Sequence, residues 1–207
     1  MRKEFEGYRR KDGEKMIPVL VMGRSGSGKT YSLKNFKADE IGVISVEKGR
    51  LPFKTDIKVA KVPAAFKDAK DYAQLHRMRY AWIFQSICSA KCKAIAIDDS
   101  QYLLANELFD RGSEKGYDKF SQIASNFRGL IHAINESEIE DKIVYFLHHT
   151  ETDTDGREKV KTIGKMLDEK LTVEGCFDIV IYCQDHKFYT QTNGQSTAKT
   201  PEGMFEL

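Results

Sequence analysis

The residues with the clearest chemistry lie between positions 23 and 30, where the chain reads Gly-Arg-Ser-Gly-Ser-Gly-Lys-Thr. This segment, here called the phosphate loop, matches the pattern G-x-x-x-x-G-K-[ST] at every fixed position. Its glycines let successive backbone N–H groups turn inward and face a polyphosphate. In this pattern Lys29 reaches the β- and γ-phosphates of a nucleotide, and the Thr30 hydroxyl binds Mg²⁺. We therefore predict an ATP and Mg²⁺ site formed by Gly23, Arg24, Ser25, Gly26, Ser27, Gly28, Lys29, Thr30 and Tyr31.

Polar side chains follow three apolar segments that read as buried strands. Asp98 and Asp99 follow residues 93–97, Glu47 follows residues 41–46, and His148 follows residues 143–147. The carboxyl ends of parallel strands meet at one edge of a sheet, so we expect these side chains to lie near the phosphate loop. An acidic residue in this place, at the end of a Walker B strand, meets the magnesium hydration shell. We predict Asp98 as the second magnesium ligand beside Thr30, with Asp99 left open as the alternative carboxylate.

The elements that must position these residues alternate between strands and helices. Apolar, β-branched segments predict strands, and apolar side chains at helical spacing predict helices. Two polar segments, residues 108–119 and 150–165, read as loops, and the second as a long mobile one. Asp12-Gly13 and Asn193-Gly194 are hairpin signals. The predicted strands are 16–22, 41–46, 57–62, 93–98, 143–147, 177–183 and 187–192, and the predicted helices are 30–37, 68–90 and 117–134.

The composition indicates one domain of the α/β class. A chain of 207 residues with 41% hydrophobic content supports one substantial core, and we expect a single domain over residues 1–207. The net charge of +2 is too small to indicate a nucleic-acid partner by itself. No apolar run approaches the length of a membrane span or of a signal-peptide core, so we expect a cytoplasmic protein without membrane contact. Cys88, Cys92, Cys176 and Cys183 lack metal-ligand spacing, and we expect buried thiols.

The order of these motifs resembles the RecA-like branch of P-loop ATPases over essentially the whole chain. More narrowly, four segments look like the small phage-encoded RecA-core ATPases of recombination modules, which are associated with single-strand annealing and binding. The paired Asp98-Asp99 differs from the Asp-Ser of RecA itself, so the choice between the two aspartates stays open. The four segments are residues 23–30, residues 97–100, His148 with residues 152–156, and residues 198–205.

This resemblance implies a RecA-like P-loop fold, with a mainly parallel central sheet flanked by helices and a C-terminal β-hairpin. It also implies Mg²⁺-dependent ATP hydrolysis. Glu47, at the tip of the strand beside the phosphate-loop strand, would orient or deprotonate the attacking water, and His148 would sense the γ-phosphate. Lys199 would act on the site of a neighbouring subunit, which requires a homo-oligomeric ring or filament. The implied catalytic residues are Lys29, Glu47, Asp98, Asp99, His148 and Lys199.

The resemblance further implies that the two polar loops bind single-stranded DNA. Their basic residues would contact phosphates, and Tyr117 would stack on a base. The expected role is ATP-driven action on single-stranded DNA in phage recombination or replication, in the host cytoplasm, with a single-strand-binding protein as a further partner. The DNA-binding residues implied in this way are Arg111, Lys115, Lys119, Arg157, Lys159 and Lys161.

Other readings of the same residues stay open. The acids in both polar loops also suit a solvated, mixed-charge surface. A P-loop kinase of a nucleotide or other small molecule would share the phosphate loop, although it usually needs an arginine-rich lid, and residues 150–165 hold one arginine, Arg157, among several acids. An ATP-binding interaction module that hydrolyses slowly or not at all is the third reading.

Overall fold

The computed structural model describes residues 15–164, 168, 171–192 and 194–205. The phosphate loop follows the first described strand, and the seven predicted strands and the helices predicted at 68–90 and 117–134 are present in the predicted order. A helix over residues 101–110, which overlaps the polar loop predicted at 108–119, and a short strand over residues 158–160 were not predicted. The strands are β1 (Ile17–Gly23), β2 (Ile41–Ser45), β3 (Val59–Lys61), β4 (Ala94–Asp98), β5 (Ile143–Thr152), β6 (Glu158–Val160), β7 (Ile179–Gln184) and β8 (Lys187–Tyr189). The α-helices are α1 (Tyr72–Ser89), α2 (Gln101–Asp110) and α3 (Asp118–Asn135).

The strands form one eight-stranded sheet in the order β3-β2-β4-β5-β1-β7-β8, and β6 pairs with β5. The pairs formed among β1 to β5 and the pair of β1 with β7 are parallel. Strand β8 runs antiparallel to β7. The predicted RecA-like P-loop fold, with a mainly parallel sheet and a C-terminal β-hairpin, is therefore confirmed.

The hairpin turn lies eight residues before the predicted one. Asp185 and His186 connect β7 to β8, and both have positive φ angles of 49° and 62°. This two-residue connection with two left-handed residues matches the right-handed twist of paired strands. Part of the predicted Asn193-Gly194 turn, namely Asn193, lies outside the described residues, as does the predicted Asp12-Gly13 hairpin.

Both faces of the sheet are buried, but they are covered differently. One face packs against all three long helices, with Phe127 of α3 and Ile83 of α1 at its centre. The other face is covered by the segment around Leu33, by Ile57 and by Met204. Burial on both faces explains why these strands are apolar along their whole length instead of alternating.

The segment after the phosphate loop is shorter than predicted. In place of a helix over residues 30–37, the structure has a five-residue 3-10 helix, Tyr31–Asn35. The Ser32 hydroxyl donates to the Lys29 carbonyl at 2.7 Å, which competes with regular helical bonding. Only Leu33 of this helix is buried. So short a helix gains little from tertiary packing, which is the main support of helices in proteins.

Residues 150–160 are a β-hairpin, so the prediction of a long mobile loop is wrong for this part of the segment. Strand β5 continues to Thr152 and pairs antiparallel with β6. The Asp153 carboxylate closes the turn by accepting from the N–H groups of Asp155 at 2.9 Å and Arg157 at 2.8 Å. Gly156 has a φ of 79°, which a glycine adopts without strain.

The cysteines and the helices bear on two further predictions. Cys183 is buried as predicted, whereas Cys88, Cys92 and Cys176 are half-buried. Within the described ranges, no helix is long and apolar enough to cross a membrane.

Candidate active site

The phosphate loop leaves the carboxyl end of β1 and requires glycine at two positions for steric reasons. A Cβ atom on Gly23 would lie 2.3 Å from the Cys183 carbonyl oxygen. One on Gly28 would lie 2.6 Å from Nδ1 of His186, and Gly28 has a φ of 109°. The turn between β7 and β8 therefore packs directly on the loop, and the His186 N–H donates to the Ser27 carbonyl at 2.8 Å.

Lys29 is buried beneath the loop that precedes it. Its ammonium donates to the carbonyls of Gly23 at 2.6 Å and Arg24 at 2.9 Å. Burial lowers the pKa of Lys29 to about 8, although the nearby acidic groups oppose this shift. An ammonium carries three N–H donors, so a phosphate would compete for the donors that now serve the two carbonyls. The position suits the phosphate-binding role predicted for Lys29.

Thr30 and Asp98 meet at the edge of the sheet. The Thr30 hydroxyl donates to Oδ1 of Asp98 at 2.6 Å, although the two residues are far apart in sequence. Burial raises the pKa of Asp98, and the bond from Thr30 opposes that shift. A hydroxyl and a carboxylate are the hard oxygen ligands that Mg²⁺ prefers, and it usually takes one or two carboxylates and the substrate phosphates besides water. The residues present therefore fit the predicted Mg²⁺.

Asp99 lies next to this pair in an uncommon backbone conformation. Its φ is 61°, a left-handed value that non-glycine residues seldom adopt and that often marks functional sites. The carboxylate lies 3.4 Å from Nε2 of His149. This hydrogen bond lowers the pKa of Asp99, partly against the effect of burial. The backbone N–H of His149 donates to Oε1 of Gln101 at 3.2 Å.

His148 lies behind this edge, beside Ser100. His148 is fully buried and its ring packs against Phe127. Its Nδ1 lies 2.9 Å from the Ser100 hydroxyl, and its Nε2 lies 2.9 Å from the Lys161 carbonyl. Burial lowers its pKa to about 4. Because neighbouring residues of a strand face opposite sides, His149 and not His148 lies beside Asp99. The sensor role of His148 stays a prediction.

Glu47 lies at the expected edge of the sheet, but the strand that it follows, β2, is not next to β1. Strand β2 pairs with β4, with Ser45 opposite Asp98, and both β4 and β5 separate it from β1. The predicted placement beside the phosphate-loop strand is therefore wrong. The Glu47 carboxylate accepts from the Asn106 amide at 2.7 Å and borders a cavity of about 160 Å³. Its catalytic role stays a prediction.

Lys199 lies at the side of the sheet. Its backbone pairs with that of Val180 in both directions, at 2.8 and 2.9 Å, and Val180 in turn lies opposite Leu20 of β1. The residue is exposed. Lys199 thus lies level with the middle of β1, before the phosphate loop begins. Its predicted role in a neighbouring subunit stays a prediction.

Two of the predicted DNA-binding cations in the first loop, Arg111 and Lys119, bond to groups of the chain itself. Arg111 is buried and forms ion pairs with Glu107 at 2.9 Å and Glu114 at 2.8 Å. Its guanidinium therefore cannot reach a DNA backbone, and the prediction for Arg111 is wrong. Lys119 donates to the Glu114 carbonyl at 2.8 Å, which closes the loop before α3.

The second predicted loop shows a similar division. Lys159 forms ion pairs with Glu151 at 3.3 Å and Asp168 at 2.9 Å. Arg157 and Lys161 are exposed, and so is Lys115 of the first loop. Tyr117 is 73% exposed. The cations that remain accessible among the six predicted are thus Lys115, Arg157 and Lys161.

An aromatic group beside Tyr31 was not predicted. The Tyr31 ring centroid lies 5.8 Å from that of His186 and 5.9 Å from that of Phe53, both in edge-to-face geometry. The Lys34 ammonium lies 4.0 Å from the Tyr31 centroid. Tyr31 follows the phosphate loop directly, and it remains 41% exposed. The sequence holds no signal that joins three such distant segments.

Comparisons with known proteins give one family match and several similar solved structures. The family model described as an AAA domain matches residues 15–203. No curated protein sequence gives a significant match. Similar solved structures include a type III secretion system ATPase from pathogenic bacteria (13% identity, TM-score 0.45, 80% of this chain and 50% of that one). A KaiC-like protein from Pyrococcus horikoshii gives 15% identity, a TM-score of 0.47, and coverage of 80% and 71%.

A DnaB-like replicative helicase, described with its primase interactions, gives 17% identity, a TM-score of 0.42, and coverage of 82% and 48%. The chain thus spans about half the length of the secretion ATPase and of the helicase.

Proposed function

Because the chain belongs to the AAA-domain family, whose model matches residues 15–203, we propose that it binds ATP with Mg²⁺ at the phosphate loop and hydrolyses the γ-phosphate bond. The contact between Thr30 and Asp98 carries this proposal, since it joins the phosphate loop and the acidic strand at 2.6 Å. Two motifs separated so widely in sequence meet where their chemistry requires it.

The chain's own residues divide the work of hydrolysis. Thr30 and Asp98 would hold Mg²⁺, which supplies charge neutralisation at the phosphate oxygens. Lys29 would give its ammonium to the β- and γ-phosphates, and an anion there would favour its protonated form. The attacking water needs a carboxylate that accepts a hydrogen bond, and Glu47 is the first candidate. Asp99 is the second, because it follows Asp98 directly and its carboxylate lies at the same end of β4.

We assign the hydrolysis to action on single-stranded DNA, in phage recombination or replication. The accessible cations Lys115, Arg157 and Lys161, together with exposed Tyr117, support a backbone-tracking surface with a stacking platform. A single-strand-binding protein is the expected further partner. Lys199 would complete the site of a neighbouring subunit in a homo-oligomeric ring or filament, which requires a head-to-tail contact.

One observation favours a P-loop kinase as the second candidate. A cavity of about 510 Å³ adjoins the phosphate loop, with Arg24, Tyr182 and Gln184 among its lining residues. Its size suits a small acceptor molecule. A kinase would transfer the γ-phosphoryl group to such a molecule instead of to water.

An ATPase assay with and without single-stranded DNA distinguishes the two. We expect DNA to stimulate phosphate release, and phosphate that appears on an added small molecule would favour the kinase.

Substituting Lys115, Arg157 and Lys161 by Ala should reduce the slope of log affinity against log salt by about 2, at about 0.7 per phosphate contact. Substituting Lys58, Lys91 and Lys93, exposed at the opposite edge of the sheet, is the matched control. No DNA binding at low salt would contradict the DNA assignment.

A further inference from the structure

An ion pair joins the phosphate loop to the hairpin of β5 and β6. Nε and Nη2 of Arg24 donate to Oε1 of Glu158 at 3.0 and 2.6 Å. The same Nη2 donates to the Thr152 hydroxyl at 2.7 Å. Arg24 occupies a variable position of the phosphate-binding pattern, and Glu158 opens β6. No requirement of phosphate binding explains this contact.

Glu158 is buried and depends on this contact for its only ion pair among the described residues. Its side chain is 8% exposed, whereas that of Arg24 is 66% exposed. Oε2 accepts from the Thr150 hydroxyl at 2.5 Å, and Oε1 also accepts from the Thr152 hydroxyl at 2.9 Å. Removing the cation from a buried carboxylate costs much more than breaking an exposed pair. The orientation of Arg24 therefore matters to the hairpin.

The backbone of Arg24 is also tied to the phosphate-binding lysine. The Arg24 carbonyl accepts from the Lys29 ammonium at 2.9 Å, while its side chain holds Glu158. A phosphate that recruits the Lys29 ammonium competes with this carbonyl. Any shift of the Arg24 backbone is then passed to Glu158 through the guanidinium.

The hairpin is built to carry such a shift to its exposed tip. The Glu158 N–H donates to the Gln195 carbonyl at 2.8 Å. The adjacent Arg157 is exposed, and its N–H is held by the Asp153 carboxylate at 2.8 Å. The bonds of the Asp153 carboxylate close the turn between β5 and β6, and Arg157 directly precedes Glu158 in the chain.

We propose that Arg24 and Glu158 form a latch that couples occupancy of the phosphate loop to the position of the β5–β6 hairpin. This coupling rests on the proposed function, because a nucleotide must occupy the loop. Arg24 and Glu158 are positioning residues in it. Coupling is reciprocal, so an anionic ligand on the Arg157 side of the hairpin changes nucleotide affinity by the factor with which the nucleotide changes affinity for that ligand.

Hydrogen–deuterium exchange of residues 150–160 tests the latch. The probe is a non-hydrolysable ATP analogue with Mg²⁺, and its binding is measured separately by calorimetry. In the wild type we expect the analogue to change hairpin exchange rates by about fivefold or more, the lower end of typical coupling. In Arg24→Gln and in Glu158→Gln, analogue-bound protein should show less than about a twofold change.

Lys159→Gln is the matched control, because it removes ion pairs to Glu151 and Asp168 on the same hairpin while leaving the latch intact. It should respond to the analogue as the wild type does. If Arg24→Gln does not bind the analogue, or if Glu158→Gln does not fold, the other variant decides. An unchanged hairpin in analogue-bound wild type, or an equal response in the decisive variant, overturns the latch alone. Absence of analogue binding by the wild type overturns the proposed function and the latch with it.

Discussion

The fully buried His148 predicts a specific loss of stability in acid. Its pKa in the folded protein is lowered to about 4, from the ordinary histidine value of 6.5, chiefly because burial disfavours the charged imidazole. Between these two values the unfolded chain binds a proton that the folded protein does not. Stability is therefore complete above about pH 6.5 and falls as the pH falls toward 4.

The magnitude follows from the size of the shift. A shift of about 2.5 units at 1.36 kcal/mol per unit gives about 3 kcal/mol in total. Applied to both states, the same linkage gives a loss of about 2 kcal/mol between pH 7 and pH 5. This is a large share of the 5–15 kcal/mol by which domains are typically stable, so it is measurable.

Urea unfolding at a series of pH values isolates this effect. His148→Gln cannot titrate, and its amide can still donate to the Lys161 carbonyl. Between pH 7 and pH 5, its free energy of unfolding should therefore fall by about 2 kcal/mol less than that of the wild type. His132→Gln, which removes an exposed imidazole of α3, is the matched control. Parallel pH profiles for wild type and His148→Gln would refute the buried, neutral state of His148.

Two further predictions concern residues whose roles the structure changes or leaves open. Arg111→Ala should lower the free energy of unfolding by about 3–5 kcal/mol, because it leaves the buried Glu107 carboxylate without its cation; Lys115→Ala, at an exposed site, should change it by less than about 0.5 kcal/mol. Thermal or urea unfolding checks this, and a stable Arg111→Ala protein with weakened DNA affinity would contradict it. Glu47→Gln should still bind ATP, while turnover falls by about 10²-fold because the base is lost. Unchanged turnover in a coupled phosphate-release assay would transfer that role to Asp99.

The parts of the site that the sequence predicts are those encoded by contiguous residues. The phosphate loop is a fixed spacing of glycines, Lys29 and Thr30, so its chemistry is readable without the fold. Asp98 follows an apolar strand directly, and its meeting with Thr30 needs only parallel strands with a common carboxyl edge. Strand order is different, because no local pattern states that β5 lies between β1 and β4. For this reason the sequence wrongly placed Glu47 on the strand next to β1.

His148 shows where strand patterns lose information. Residues 143–147 are apolar without alternation, because β5 is buried on both faces. The pattern therefore cannot say whether His148 or His149 faces the edge near Asp99. Two other differences did have sequence signals. Glu107 and Arg111 have the helical spacing of an ion pair, and Asp155-Gly156 between β-forming residues is a hairpin signal.

Calorimetric titration of ATP with Mg²⁺ into wild type, Lys29→Ala and Lys37→Ala tests most directly whether the phosphate loop binds nucleotide. Lys37 is exposed beyond the same short helix, so its loss should leave ATP affinity within about twofold of wild type. Loss of the Lys29 ammonium removes charge-assisted bonds to the phosphates and should weaken ATP by at least about tenfold. Wild-type affinity in Lys29→Ala would contradict a nucleotide site at this loop.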